Sequence, residues 1–65
     1  MPEWTAEVVA QMHKYSISGI ELAKASGYSN AYLSLMLNGH KRSERARVNI
    51  INALIKLIAQ KQKAG

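Results

Sequence analysis

The sequence has no cysteine, only four acidic residues and no long apolar run. Without cysteine there can be no disulfide bond or thiolate metal site, and the two histidines, His13 and His40, stand at unrelated positions. No apolar run approaches the ~18–20 residues of a membrane-spanning helix, and the first residues lack the pattern of a secretory signal. We therefore expect a soluble, cytoplasmic protein that binds no metal, cofactor or membrane.

The short length limits what the chain can do. Sixty-five residues allow one domain, 1–65, without a separate catalytic or effector-sensing unit. No Ser/His/acid set, paired carboxylates or phosphate-binding glycine loop is evident, so we expect neither an enzyme nor a small-molecule effector site. A core this small supplies only ~3–5 kcal/mol of stability, which favours helix packing supported by self-association.

Basic charge is concentrated in the last third of the chain. Nine Lys and Arg against four Asp and Glu give a net charge of +5. After residue 40 the only acid is Glu44, among seven basic residues. A surplus of this kind predicts a polyanionic partner, nucleic acid first.

Apolar residues recur at helical spacing almost everywhere, which predicts an all-α fold of four helices, or five. Ser18 and Glu21 fit a capping box, Ser29 and Ser43 are good N-caps, and Gly27 is a good helix stop. The predicted helices cover residues 3–15, 19–26, 30–37 and 44–62.

The second and third predicted helices, joined by a tight turn at Gly27, form a helix-turn-helix over about residues 18–38. The run ELAKASGYSNAYLSLMLNGHKR, Glu21–Arg42, resembles the DNA-binding motif of the phage repressor and Cro family. The resemblance implies a lambda-repressor-like fold and a transcriptional regulator that binds double-stranded operator DNA as a dimer. It places helix 3 in the major groove.

By this resemblance, the early part of helix 3 supplies the base contacts. The implied residues are Asn30, Ala31, Tyr32, Ser34 and Leu35. Asn30 suits an adenine edge, Ala31 and Leu35 suit thymine methyl groups, and Tyr32 is equally compatible with half-buried packing. Helix 3 departs from the family in having no Gln, Arg or Lys, so sequence selection would depend on methyl contacts and DNA deformability.

Phosphate contacts are expected at both ends of the motif. The N-terminus of helix 2 offers backbone N–H groups at Ser18 and Gly19. After helix 3, where the family's backbone contacts fall, come Asn38, Gly39, His40, Lys41 and Arg42, with Arg45 and Arg47 close by in helix 4.

The apolar residues of helix 4 cover about 200° of its circumference, more than the ~100° that packing on one core requires. We expect Ile50, Leu54 and Leu57 to form the dimer contact; packing on helix 1 within one subunit is the alternative. The exposed Ala–Leu pair of helix 3 keeps a second function open, a protein-binding module such as an antitoxin-like or inhibitor subunit. A membrane-surface role for residues 44–63 is disfavoured because the core needs the apolar face.

Overall fold

The fold consists of four α-helices, seen in a computed structural model that describes residues 3–64. The helices are α1 (Glu3–Lys14), α2 (Gly19–Ser26), α3 (Asn30–Leu37) and α4 (Glu44–Ala64). The predicted all-α fold is confirmed, and the bounds of α2 and α3 agree with prediction. Helix α1 ends one residue early and α4 runs two residues further. Residues 3–64 contain no strand and no fifth helix.

Serine side chains fix the starts of three helices. The Oγ atoms of Ser18, Ser29 and Ser43 each accept a hydrogen bond from the backbone N–H three residues on, at 3.1, 3.1 and 3.2 Å. At Ser18 the predicted capping box is complete, because Glu21 Oε1 accepts from the Ser18 N–H at 3.3 Å. Each cap satisfies an N–H that has no partner inside its own helix.

The first three helices end alike, on a residue with left-handed backbone. These residues are Ser16 (φ 55°), Gly27 (φ 82°) and Gly39 (φ 79°). In each case this residue and its successor donate hydrogen bonds back to carbonyls of the last turn, the Schellman arrangement. The sequence predicts Gly27 in this role, whereas a serine rarely adopts this conformation.

The core lies where α2 and α4 pack together, closed by α1 and α3. Leu22, Leu33 and Met36 are at most 1% exposed. Thr5 is also fully buried, which the apolar pattern of α1 does not reveal. The buried apolar residues are Val8, Ile17, Leu22, Ala23, Leu33, Met36, Ala46, Ile50, Ala53 and Leu54.

The structure corrects the expected dimer contact. Ile50 is 0% exposed and Leu54 is 5% exposed, both inside the core of their own subunit. Leu57 is half-buried and packs against the same core. Because α4 turns this face toward the rest of its own chain, Ile50 and Leu54 are not available to a second subunit as the sequence suggests.

Helix α4 accounts for most of the molecule's length. Its 21 residues extend about 32 Å at 1.5 Å per residue, and the described residues measure 35 × 21 × 17 Å. Within residues 3–64, no helix combines the length and hydropathy that crossing a bilayer requires.

Candidate nucleic-acid interface

One face of α3 is turned to solvent. Asn30, Ala31 and Ser34 are exposed, and Leu35 is 39% exposed. The opposite face holds the buried Leu33. Four of the five predicted base-contact residues are therefore reachable from one side of the molecule.

The fifth, Tyr32, mainly packs inside the subunit. Its half-buried ring lies 5.0 Å from the ring of Tyr28, centroid to centroid, at an angle of 38°. The Tyr28 hydroxyl in turn accepts a hydrogen bond from Asn49 Nδ2 at 3.0 Å. This chain of contacts ties the turn before α3 to α4. Sequence reasoning missed Asn49 because it lies 21 residues from its partner and carries no local signal.

The starts of α2 and α3 lie side by side. A Cβ atom built on Gly19 would lie 3.4 Å from Asn30 Oδ1, which brings a predicted phosphate contact next to a predicted base contact. The caps leave the N–H groups of Gly19 and Ile20 in α2, and of Asn30 and Ala31 in α3, without a partner inside their helices. The Ser18 hydroxyl accepts its cap bond and keeps its own O–H to donate. The N-termini of α2 and α3, each with a partial positive charge, therefore lie side by side at one edge of the exposed α3 face.

The loop after α3 forms the other edge of the exposed α3 face. Asn38 Nδ2 donates to the Ser34 carbonyl at 2.8 Å and to Ser34 Oγ at 3.2 Å, so this amide is held back against α3. The residues that follow, Gly39, His40, Lys41 and Arg42, are all exposed.

A surface groove of about 680 Å³ lies beside this loop, between the start of α1, the end of α3 and the start of α4. Lys41, Arg42 and Arg47 line it together with the half-buried indole of Trp4. Glu44 lines the groove as well. The position of Trp4 in this groove depends on how α1 meets α4, which the local sequence pattern does not reveal.

The cations of this edge differ in their surroundings. Arg47 forms an ion pair with Glu44, so its charge is partly offset. Across residues 3–64, Lys41, Arg42 and Arg45 have no acidic partner within ion-pair distance. These three are the stronger candidates for phosphate contacts, and Arg47 the weaker.

Hydrogen-bonding groups and charge supply the chemistry of this surface. In the part of the chain that the structure describes, no group of three or more His, Cys, Asp or Glu side chains is placed to hold a metal ion.

Comparison of the chain with protein-family models, curated proteins and solved structures finds no match. The resemblance to phage repressors and Cro proteins therefore rests on the residues of the motif alone.

Proposed function

We propose that this protein is a sequence-specific regulator of transcription, a repressor of the phage or mobile-element type that acts in the cytoplasm. It binds double-stranded operator DNA as a dimer, with α3 in the major groove. The observation that carries the proposal is the exposed face of α3, bordered at one end by free backbone N–H groups and at the other by unpaired cations.

The exposed residues of α3 suit base edges. Asn30 can hydrogen-bond N6 and N7 of adenine, and Ala31 and Leu35 can contact thymine methyl groups. The ring of Tyr32 packs against Tyr28, so at most the edge of this ring contributes to base contacts. With no long donor on α3, part of the selectivity comes from DNA shape.

Groups that can bind phosphate border α3 at both of its ends. Lys41, Arg42 and Arg45 neutralise phosphates at one end, and the N–H groups of Gly19 and Ile20 do so at the other.

Selection of bound duplexes from a random DNA pool tests this function. We expect one enriched sequence, with two related half-sites. Asn30→Ala should weaken binding of that duplex by roughly 1–3 kcal/mol and relax selection at one position.

Asn52→Ala is the matched control, since Asn52 is an exposed asparagine on α4. It should leave affinity unchanged. A pool that shows no enrichment, or equal losses for the two alanine variants, would contradict the proposal.

A protein-binding module, antitoxin-like or inhibitory, is the second candidate. Leu35 is 39% exposed, Ala31 beside it is exposed, and α3 carries no basic side chain. Such a surface suits an apolar protein partner. It becomes the better assignment if the duplex pool yields no selected sequence.

A further inference from the structure

The groove beside the loop after α3 has the size and the lining of a small-molecule site. Its volume is about 680 Å³, within the roughly 300–1,000 Å³ that is usual for ligand pockets. The buried Met36 and the half-buried indole of Trp4 form its apolar part. Because Trp4 also packs against the core, the protein itself holds the indole in place.

The other side chains of the groove carry charge or donate hydrogen bonds. Lys41, Arg42 and Arg47 bring three positive charges to the lining, and Glu44 brings one negative charge. Glu44 forms an ion pair with Arg47, so two positive charges remain. The hydroxyl of Ser43, which also lines the groove, accepts its cap bond and keeps its own O–H to donate.

We propose that this groove binds a nucleoside monophosphate, with the base against Trp4 and the phosphate on Lys41 and Arg42. The indole offers an aromatic surface on which a flat base stacks. A phosphate monoester carries a charge of about −1.5 to −2 at pH 7, which matches the two positive charges that remain in the groove. The two parts of one small molecule therefore match the two parts of the lining.

Simpler ligands match only half of this groove. Inorganic phosphate would leave the apolar surface of Trp4 uncovered. An uncharged aromatic compound would leave Lys41 and Arg42 without a negative partner. A nucleoside monophosphate is a small molecule that satisfies both.

The purpose of this site rests on the proposed function. Lys41 and Arg42 are also proposed to bind the phosphates of operator DNA, so a nucleotide on these cations competes with the duplex. Binding of the nucleotide should therefore release the DNA. The chain length argues against an effector site, but Trp4 and the loop after α3 meet only in the folded chain.

Titration of the whole chain with AMP, without DNA, tests the site. Trp4 is the single tryptophan, so its fluorescence reports binding directly, and N-acetyltryptophanamide titrated in parallel corrects for light absorbed by the base. We expect saturable quenching with a dissociation constant below about 1 mM. Adenosine, which lacks the phosphate, and ribose 5-phosphate, which lacks the base, should each bind at least about tenfold more weakly.

Arg42→Ala tests the phosphate contact, and Arg45→Ala is the matched control. Both arginines are exposed and lack an acidic partner within residues 3–64, but Arg45 is not among the residues that line the groove. Arg42→Ala should weaken AMP binding about tenfold, whereas Arg45→Ala should leave AMP binding unchanged. Both variants should weaken duplex binding, since both arginines are proposed phosphate contacts.

Trp4→Leu tests the stacking of the base. Leucine keeps an apolar side chain against the core but removes the aromatic ring, and calorimetry replaces fluorescence as the readout. AMP should bind about tenfold more weakly, with the helix content checked by circular dichroism. Even if this variant loses helix content, ribose 5-phosphate that binds the unmodified chain as tightly as AMP would refute the stacking.

The absence of saturable AMP binding up to about 10 mM would overturn the inference, as would equal losses of AMP affinity in Arg42→Ala and Arg45→Ala. AMP should release the selected duplex, whereas ribose 5-phosphate at the same concentration, which controls for ionic strength, should not. AMP that binds without releasing the duplex would overturn the competition. AMP binding by a chain that binds no duplex would refute only the proposed function, and duplex binding by a chain that binds no AMP would refute only this site.

Discussion

The ends of α1 and α2 allow one stability prediction to be worked in detail. Ser16 and Gly27 occupy the same left-handed position after their helices, with φ of 55° and 82°. One has a Cβ atom and the other does not. Ser16→Gly removes a Cβ atom from this position and Gly27→Ala adds one, so the two substitutions should change the free energy of unfolding in opposite directions.

The magnitude follows from two opposing effects. Left-handed backbone costs a residue with a Cβ about 1–2 kcal/mol, whereas glycine loses about 0.4–1 kcal/mol more through the freedom of its unfolded chain. At Gly27 no atom lies within 4 Å of an added Cβ, so the cost there comes from the backbone alone. We expect Ser16→Gly to stabilise, and Gly27→Ala to destabilise, by about 0.5–1 kcal/mol. In a domain of this size that is a shift in Tm of roughly 2–8 °C.

Thermal and urea unfolding followed by circular dichroism measure both changes. Ser16→Ala is the control, because it keeps the Cβ atom and should stay within about 0.5 kcal/mol of the unmodified chain. The reasoning fails if Ser16→Gly is no more stable than Ser16→Ala, or if Gly27→Ala unfolds at the original temperature.

Three further predictions concern the interface. Tyr28→Phe and Asn49→Ala should each lower the free energy of unfolding by about 0.5–1.5 kcal/mol. The double variant should lose little more, since the two substitutions remove the same hydrogen bond, and fully additive losses in urea unfolding would contradict this. Trp4, the single tryptophan, should change its fluorescence when duplex DNA fills the groove, and constant emission at saturation would exclude that contact. Arg42→Ala should reduce the salt dependence of duplex binding by about one counterion per subunit, and Arg47→Ala by less, because Arg47 is already paired with an acid; equal effects in a salt titration would count against this ranking.

The helix boundaries could be predicted because their signals are local. A serine side chain caps the N–H three residues on, and Gly27 adopts the left-handed backbone that other residues rarely adopt. Neither of these two signals depends on the rest of the chain. The end of α1 lacks such a signal. Ser16 takes the left-handed conformation that glycine usually supplies, and the sequence around it does not indicate this.

The faces of α4 could not be assigned from periodicity. Apolar side chains cover so much of this helix that either Ile50 and Leu54, or Val48 and Ile55, could turn inward. Packing on α2 decides between them, and that packing depends on the arrangement of all four helices. The Tyr28–Asn49 hydrogen bond and the place of Trp4 in the groove depend on the same arrangement.

The salt dependence of binding to the selected duplex tests the central claim most directly. Three unpaired cations in each of two subunits predict about six neutralised phosphates, hence a fall in affinity of roughly a thousandfold between 50 and 200 mM salt. A single subunit with three such contacts predicts a fall of only about fortyfold. An affinity that does not change over this range would contradict the assignment of this surface to DNA.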